Sequence, residues 1–336
     1  MHTHAVDPLL PDLSSRHPDD SWPAVRLTTD TDAVIIFGGR PYRRIDDRCW
    51  SAATRIADMD RSGVALQVLS PIPVTFCYDA DPAGVADLCA AQNDFFARMT
   101  LATPARFAAL GAVPLQDPDL AVEELRACMA RPGFLGVEIA TQVRGRGLGD
   151  EMFDRFFAVA AELGALVLVH PSDQDLLARL TDIGIGFGAG MPVETGMAGA
   201  ALIASGALLR RPNTRICLAH GAGVLPSLIG RLDKGALIAG ASADSAHLPS
   251  RQARGLWCDS LTYNRSALLA AVDTFGADHV VLGSDYPFPA MPEPLDDVVA
   301  DLPMELRRKI SRTNVEGSHG ALSRPRNHAL PPVGRH

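Results

Sequence analysis

Short apolar runs return along the chain, separated by stretches whose apolar residues recur at helical spacing. Ala65-Leu66-Gln67-Val68-Leu69, Phe107 to Val113, Leu135 to Ile139, Leu166 to Val169, Ile216 to Ala219, Leu256 to Cys258 and Val280 to Leu282 read as strands. Between them the spacing predicts helices over 51–62, 81–102, 118–131, 150–163, 193–209, 223–234 and 265–275, the first stopped by Gly63. With the first residues counted as strand one, eight strands alternate with helices. Near-continuous apolar strands between helices belong to a parallel sheet buried on both faces. Eight of them predict an α/β protein built as a (β/α)8 TIM-type barrel rather than an open sheet.

Two stretches depart from this rhythm. Residues 5–24, rich in Pro, Asp and Ser, read as an irregular excursion. Residues 25–45 carry β-like runs at Val25-Arg26-Leu27-Thr28 and Ala33-Val34-Ile35-Ile36-Phe37, with a turn signal at Gly38-Gly39. They predict a small β insertion after strand one, a flap over the barrel mouth. The expected organisation is a single barrel domain over 1–317 and a mobile tail over 318–336, whose His319, His328 and His336 are expected in solvent.

Composition narrows the function. An apolar content of 47% over 336 residues suffices for a large core, and a net charge of −8 argues against nucleic acid as the main partner. No run approaches the roughly 18 apolar residues of a membrane span, and the N-terminus lacks a basic-then-apolar signal pattern. A cytoplasmic protein is expected. Cys49, Cys77, Cys89, Cys128, Cys217 and Cys258 lack CxxC spacing, and several lie in apolar runs, so buried thiols are expected rather than disulfides or a zinc ribbon.

The chemistry shows where polar groups interrupt apolar strands. His2 and His4 share a face of strand one, because side chains alternate along a strand. The fifth, sixth and eighth strands run into His170-Pro171, His220-Gly221 and Asp285-Tyr286-Pro287. A lone histidine there is more often a hydrogen-bonded core residue than a ligand. Four imidazoles and a carboxylate converging on the C-terminal face of one barrel instead point to a metal site. No glycine-rich phosphate loop follows any strand, which disfavours a nucleotide site.

These residues carry a resemblance. His2-Thr3-His4, Val169-His170-Pro171, Leu218-Ala219-His220-Gly221 and Gly283-Ser284-Asp285-Tyr286-Pro287-Phe288-Pro289 resemble the motifs of the amidohydrolase superfamily. The chain is most similar to the branch that includes 2-amino-3-carboxymuconate-6-semialdehyde decarboxylase. Cys49-Trp50, Arg55-Ile56, Val113-Pro114-Leu115-Gln116 and Met191-Pro192 extend the likeness to about residue 317.

The resemblance implies that His2, His4, His170 and Asp285 bind one divalent metal, Zn2+ first, with Mn2+ or Fe2+ as alternatives. His220 would stand just outside the ligand set as acid/base. Arg43 falls where the family places a carboxylate-binding arginine; its other reading is a solvated residue of the charged run 43–48. Trp50, Ser172, Asp259 and Phe288 are the further expected substrate-binding residues, and Asp259 could equally orient His220 or act as a loop acceptor. A homodimer is implied as well.

Three departures bear on function. Ser172 stands where the family decarboxylase has a tryptophan, and Leu237-Ile238-Ala239-Gly240 replaces arginines that relatives offer to a neighbouring subunit. Both suggest a substrate with fewer carboxylates or a larger apolar body. Met1 directly precedes the His-X-His pair, so the first strand is expected to be short and its site loosely held, or the true start to lie upstream. Two functions follow. One is a metal-dependent non-oxidative decarboxylase of a small carboxylic acid, using metal-bound water, His220 as acid/base and Arg43 on a carboxylate. The alternative is a metal-dependent hydrolase of an ester, thioester, amide or lactone using the same water.

Overall fold

A computed structural model describes residues 1–18, 20–295 and 297–315. The expected tail, with His319, His328 and His336, lies outside the described residues. The described residues form thirteen strands: β1 (Thr3–His4), β2 (Pro23–Leu27), β3 (Asp32–Phe37), β4 (Arg40–Asp46), β5 (Gln67–Ser70), β6 (Phe107–Gly111), β7 (Phe134–Ala140), β8 (Gln142–Val143), β9 (Arg146–Gly147), β10 (Leu166–His170), β11 (Arg215–Leu218), β12 (Trp257–Asp259) and β13 (Val280–Val281). Eight form one parallel sheet in the order β1-β5-β6-β7-β10-β11-β12-β13. The segment after β13 returns along β1 and closes it. His4 N donates to Tyr286 O (2.7 Å), Asp285 N to His2 O (3.0 Å), and the terminal ammonium to Leu282 O (2.7 Å).

Val68, Leu110, Leu135, Leu166, Leu168 and Val281 fill the barrel interior, and a larger apolar layer lies between the sheet and its helices. Gly136 on β7 is where the ladder is tightest. A Cβ there would lie 1.8 Å from Leu166 O, so β10 can pass only a glycine.

Helices appear where the apolar spacing predicts them, with differences at their ends. Ser51 caps the helix Ala52–Ser62 by accepting from Thr54 N, and Gly63, left-handed at φ 69°, closes it. The single helix expected over 193–209 is two, Met191–Ala204 and Ala207–Arg210, divided at left-handed Gly206. The strand expected to reach Val113 stops at Gly111, because the Asn93 amide pairs with both Ala112 N and Ala112 O. The loop expected before strand seven contains the short helix Pro249–Ala253.

The β insertion is an antiparallel sheet in the order β2-β3-β4. Residues 5–18 and 20–22 are irregular, as expected, yet Leu10, Leu13 and Trp22 are buried with Ile35, Ile45 and Phe288 in a cluster against that sheet. The excursion therefore seats the insertion on the barrel.

The two-residue β1 is braced from outside its ladder. Fully buried Arg55 donates to His4 O (2.9 Å), Thr3 Oγ1 (3.0 Å), Arg48 O (2.8 Å) and Gln67 Oε1 (3.0 Å), and Ser70 Oγ donates to Thr3 O (3.0 Å). Burial lowers the Arg55 pKa to about 10, still protonated at neutral pH.

Candidate active site

His2 and His4 project from the β1 segment, His170 ends β10, and Asp285 lies in the closing segment; all four are buried. Each imidazole has an acceptor at Nδ1: Asp259 Oδ2 for His2, Pro71 O for His4 and Pro171 O for His170, each at 2.7 Å. Those acceptors place a proton on Nδ1 and leave a lone pair on Nε2. The Nε2 atoms of His2 and His4 are 3.1 Å apart, and His4 Nε2 is 3.1 Å from Asp285 Oδ1. His170 Nε2 is buried with no hydrogen-bond partner.

When Nδ1 carries the only proton on both rings, the 3.1 Å contact between the His2 and His4 Nε2 atoms brings two lone pairs together. A cation between them removes the repulsion, and two ligand nitrogens about 2.0–2.1 Å from one ion lie at comparable separation. One donor atom from each of His2, His4, His170 and Asp285 lies within 4.8 Å of the others. This donor set suits a divalent metal ion.

The surrounding electrostatics prepare the donors. Burial disfavours the Asp259 anion, but the His2 hydrogen bond and charge prevail and hold its pKa at about 2. Burial also opposes a charged His2, yet the Asp259 contact raises its pKa and makes the ring more basic. His170 is driven well below the usual imidazole range by burial and neighbouring imidazoles. Burial works against the Asp285 anion, but its contact with His4 and the nearby His2 ring hold its pKa below the usual carboxylate range.

His220 lies beside this set, its ring 4.9 Å from that of His170 and 5.3 Å from that of His2. Its pKa falls to about 4, chiefly through burial and then through His2, so the ring is neutral at pH 7. Its Nδ1 has no hydrogen-bond partner. His220 and Asp285 both adopt left-handed backbone, at φ 55° and 57°, an unusual conformation for residues with a Cβ. Gly223 lets the loop after His220 turn against Pro192, whose carbonyl oxygen would lie 1.9 Å from an added Cβ.

A cavity of about 550 Å3 opens onto His4, His170 and Asp285. Arg43 and Phe288 line it; Trp50, Ser172 and Asp259 do not. Arg43 turns toward it, as does the adjacent Tyr42, while Arg44 is exposed. Phe288 lies 5.6 Å from the His4 ring, and the Arg43 guanidinium stacks 4.7 Å from Phe288.

Trp50 instead fills the seam between two apolar clusters. Ser172 faces a neighbouring cavity, its Oγ accepting from Gln174 N. Asp259 is fully buried beneath the site: besides gripping His2 it accepts from the backbone amides of His220, Gly221 and Leu261. Those contacts place Asp259 behind His2 and the His220 loop, outside the cavity lining.

Sequence reasoning passed over three side chains here. Tyr42 and Asp173 line the cavity on either side of Arg43. Glu138, paired with Leu168 on β10, is fully buried, and burial raises its pKa. A carboxylate inside the apolar run 135–139 was the available signal for Glu138.

A closed barrel with three inward imidazoles and a carboxylate at its strand ends defines a metal-centre α/β barrel protein. The amidohydrolase family matches residues 1–316, and the chain belongs to that family. A 2-amino-3-carboxymuconate-6-semialdehyde decarboxylase from Dictyostelium discoideum is 32% identical over 325 residues, covering 95% of this chain and 88% of that protein. Two solved structures share the fold. The apo IDCase of Metarhizium anisopliae has a TM-score of 0.78 at 21% identity, covering 94% of this chain and 95% of the other. The 5-carboxyvanillate decarboxylase of Novosphingobium aromaticivorans, complexed with manganese and 4-hydroxy-3-methoxy-5-nitrobenzoic acid, has a TM-score of 0.73 at 24% identity, covering 82% of each chain.

Proposed function

We propose that this protein is a metal-dependent, non-oxidative decarboxylase of a small aromatic carboxylic acid. The observation that carries the reading is the convergence of the His2, His4 and His170 Nε2 atoms with Asp285 beside a cavity that contains one guanidinium. The activity for which the Dictyostelium relative is named supports decarboxylation over hydrolysis, which would use the same donors.

His2, His4, His170 and Asp285 would hold one ion. Three imidazoles and a carboxylate suit Zn2+ first and Mn2+ or Fe2+ also. Such an ion supplies Lewis-acid charge and lowers the pKa of water. Arg43 orients the substrate carboxylate, since a guanidinium can offer paired N–H donors to one carboxylate. Phe288 packs the ring and helps exclude water. The bond from ring carbon to carboxylate breaks, its electron pair stays on the carbon, CO2 leaves, and His220, neutral in the resting site, relays a proton drawn from water to that carbon.

The protein is proposed to work as a cytoplasmic homodimer. Exposed Leu228, Leu237 and Ile238 on the helix Leu225–Ile238 offer apolar surface for a second copy, and six free cysteines suit a reducing compartment. None of the described helices is long and apolar enough to cross a membrane.

The test is a product assay. Metal-loaded protein is incubated with hydroxybenzoic and carboxymuconate-type acids, and in parallel with esters, thioesters and lactones. CO2 release from at least one acid is expected; ester or thioester cleavage with no CO2 from any acid would overturn the proposal.

A further inference from the structure

We propose that Asp173 is a specificity-determining residue: by occupying one edge of Arg43 it restricts the site to acids with a single carboxylate, and it selects a hydroxyl or amino group beside that carboxylate. The inference rests on the decarboxylase reading of the same cavity.

Among the described residues lining the cavity, Arg43 is the only guanidinium or ammonium, and the other ionisable members include His4, His170, Asp173 and Asp285. Its Nη2 already donates to Asp173 Oδ2 at 2.9 Å, and the Tyr42 hydroxyl donates to the same oxygen. The guanidinium is further fixed by Phe288 at 4.7 Å and the Tyr42 ring at 5.3 Å. Both partners stay about a third accessible, 34% for Arg43 and 31% for Asp173, so a ligand in the cavity meets them together.

A guanidinium has five N–H donors, so the edge turned away from Asp173 can still receive one carboxylate. A second carboxylate held beside Asp173 would face that anion at short range, a like-charge contact that disfavours binding. A neutral hydroxyl or amine at that position can instead donate to Asp173. The charge of the pair thus discriminates between acids of the same shape.

The test compares two probes of similar size, 2-hydroxybenzoate and benzene-1,2-dicarboxylate, by calorimetric binding to metal-loaded protein. Wild type is expected to prefer the hydroxy acid. Asp173→Asn, which keeps the shape and removes the charge, should shift the ratio of dissociation constants toward the dicarboxylate by about tenfold or more. Asp173→Ser should shift it the same way if the asparagine variant folds poorly.

An unchanged ratio would overturn the proposal, as would equal weakening of both probes, which would mean that Asp173 merely props Arg43. A wild-type preference for the dicarboxylate, or binding of neither probe, would overturn it too. Because the readout is binding, a shifted ratio in a protein that releases no CO2 would fault the decarboxylase reading while leaving the role of Asp173 intact.

Discussion

His2 is oriented from behind by Asp259, whose other contacts hold the backbone that carries His220. One carboxylate therefore fixes both a metal-donor candidate and the acid/base candidate. Replacing Asp259 by asparagine removes the charge that makes His2 more basic. Metal affinity should fall by about 10- to 100-fold, as for other ligand-orienting carboxylates, and competition with a chromogenic chelator measures it; unchanged affinity would remove Asp259 from the site. His220 gives a second prediction, on metal-stripped protein. Its pKa is about 4 in the fold against 6.5 for the unperturbed group, so between those values the unfolded chain binds more protons. Stability is then full above about pH 6.5 and falls as the pH drops toward 4, and depressed His170 adds the same sign. Urea unfolding across that window should show the slope, shallower in His220→Gln; an equal slope would mean that the buried neutral ring is not its source.

A strand of only two residues carries the most chemistry. β1 supplies two ladder residues, yet His2 and His4 must be held to fractions of an ångström to share an ion. Arg55 supplies that stiffness from the helix Ala52–Ser62 by donating to both Thr3 and His4. Arg55→Met keeps most of the volume but leaves the His4 and Arg48 carbonyls and Gln67 without their donor, at a cost on the order of 3 kcal/mol. A lower urea midpoint together with weaker metal binding is expected, whereas lost stability with unchanged metal binding would separate the brace from the site. Barrel strands and helices were legible in the sequence because apolar runs and helical spacing are local signals. His2, His4, His170, His220 and Asp285 were legible as a set because each interrupts or ends an apolar strand, while the choice of four of them as metal donors came from the family resemblance. Asp173 was not, since it meets Arg43 across 130 residues and nothing near either one encodes that contact. Trp50 and Ser172 were expected at the substrate because they adjoin motif residues, but adjacency in sequence does not fix which cavity a side chain faces.

The barrel, the braced first strand and the β2-β3-β4 sheet together give one cavity with the metal donors at one part of its wall and Arg43 at another. Binding free energy for the ion is then stabilisation of the native state: at a hundred times the dissociation constant it adds about 2.7 kcal/mol. The most direct experiment titrates Zn2+ or Mn2+ into chelator-stripped protein while CO2 release from an accepted acid is followed. Activity should rise from near zero and break at one equivalent of metal per chain, with no such rise in His170→Asn. Full activity in the stripped protein, or a titration indifferent to His170, would contradict a single metal centre built from His2, His4, His170 and Asp285.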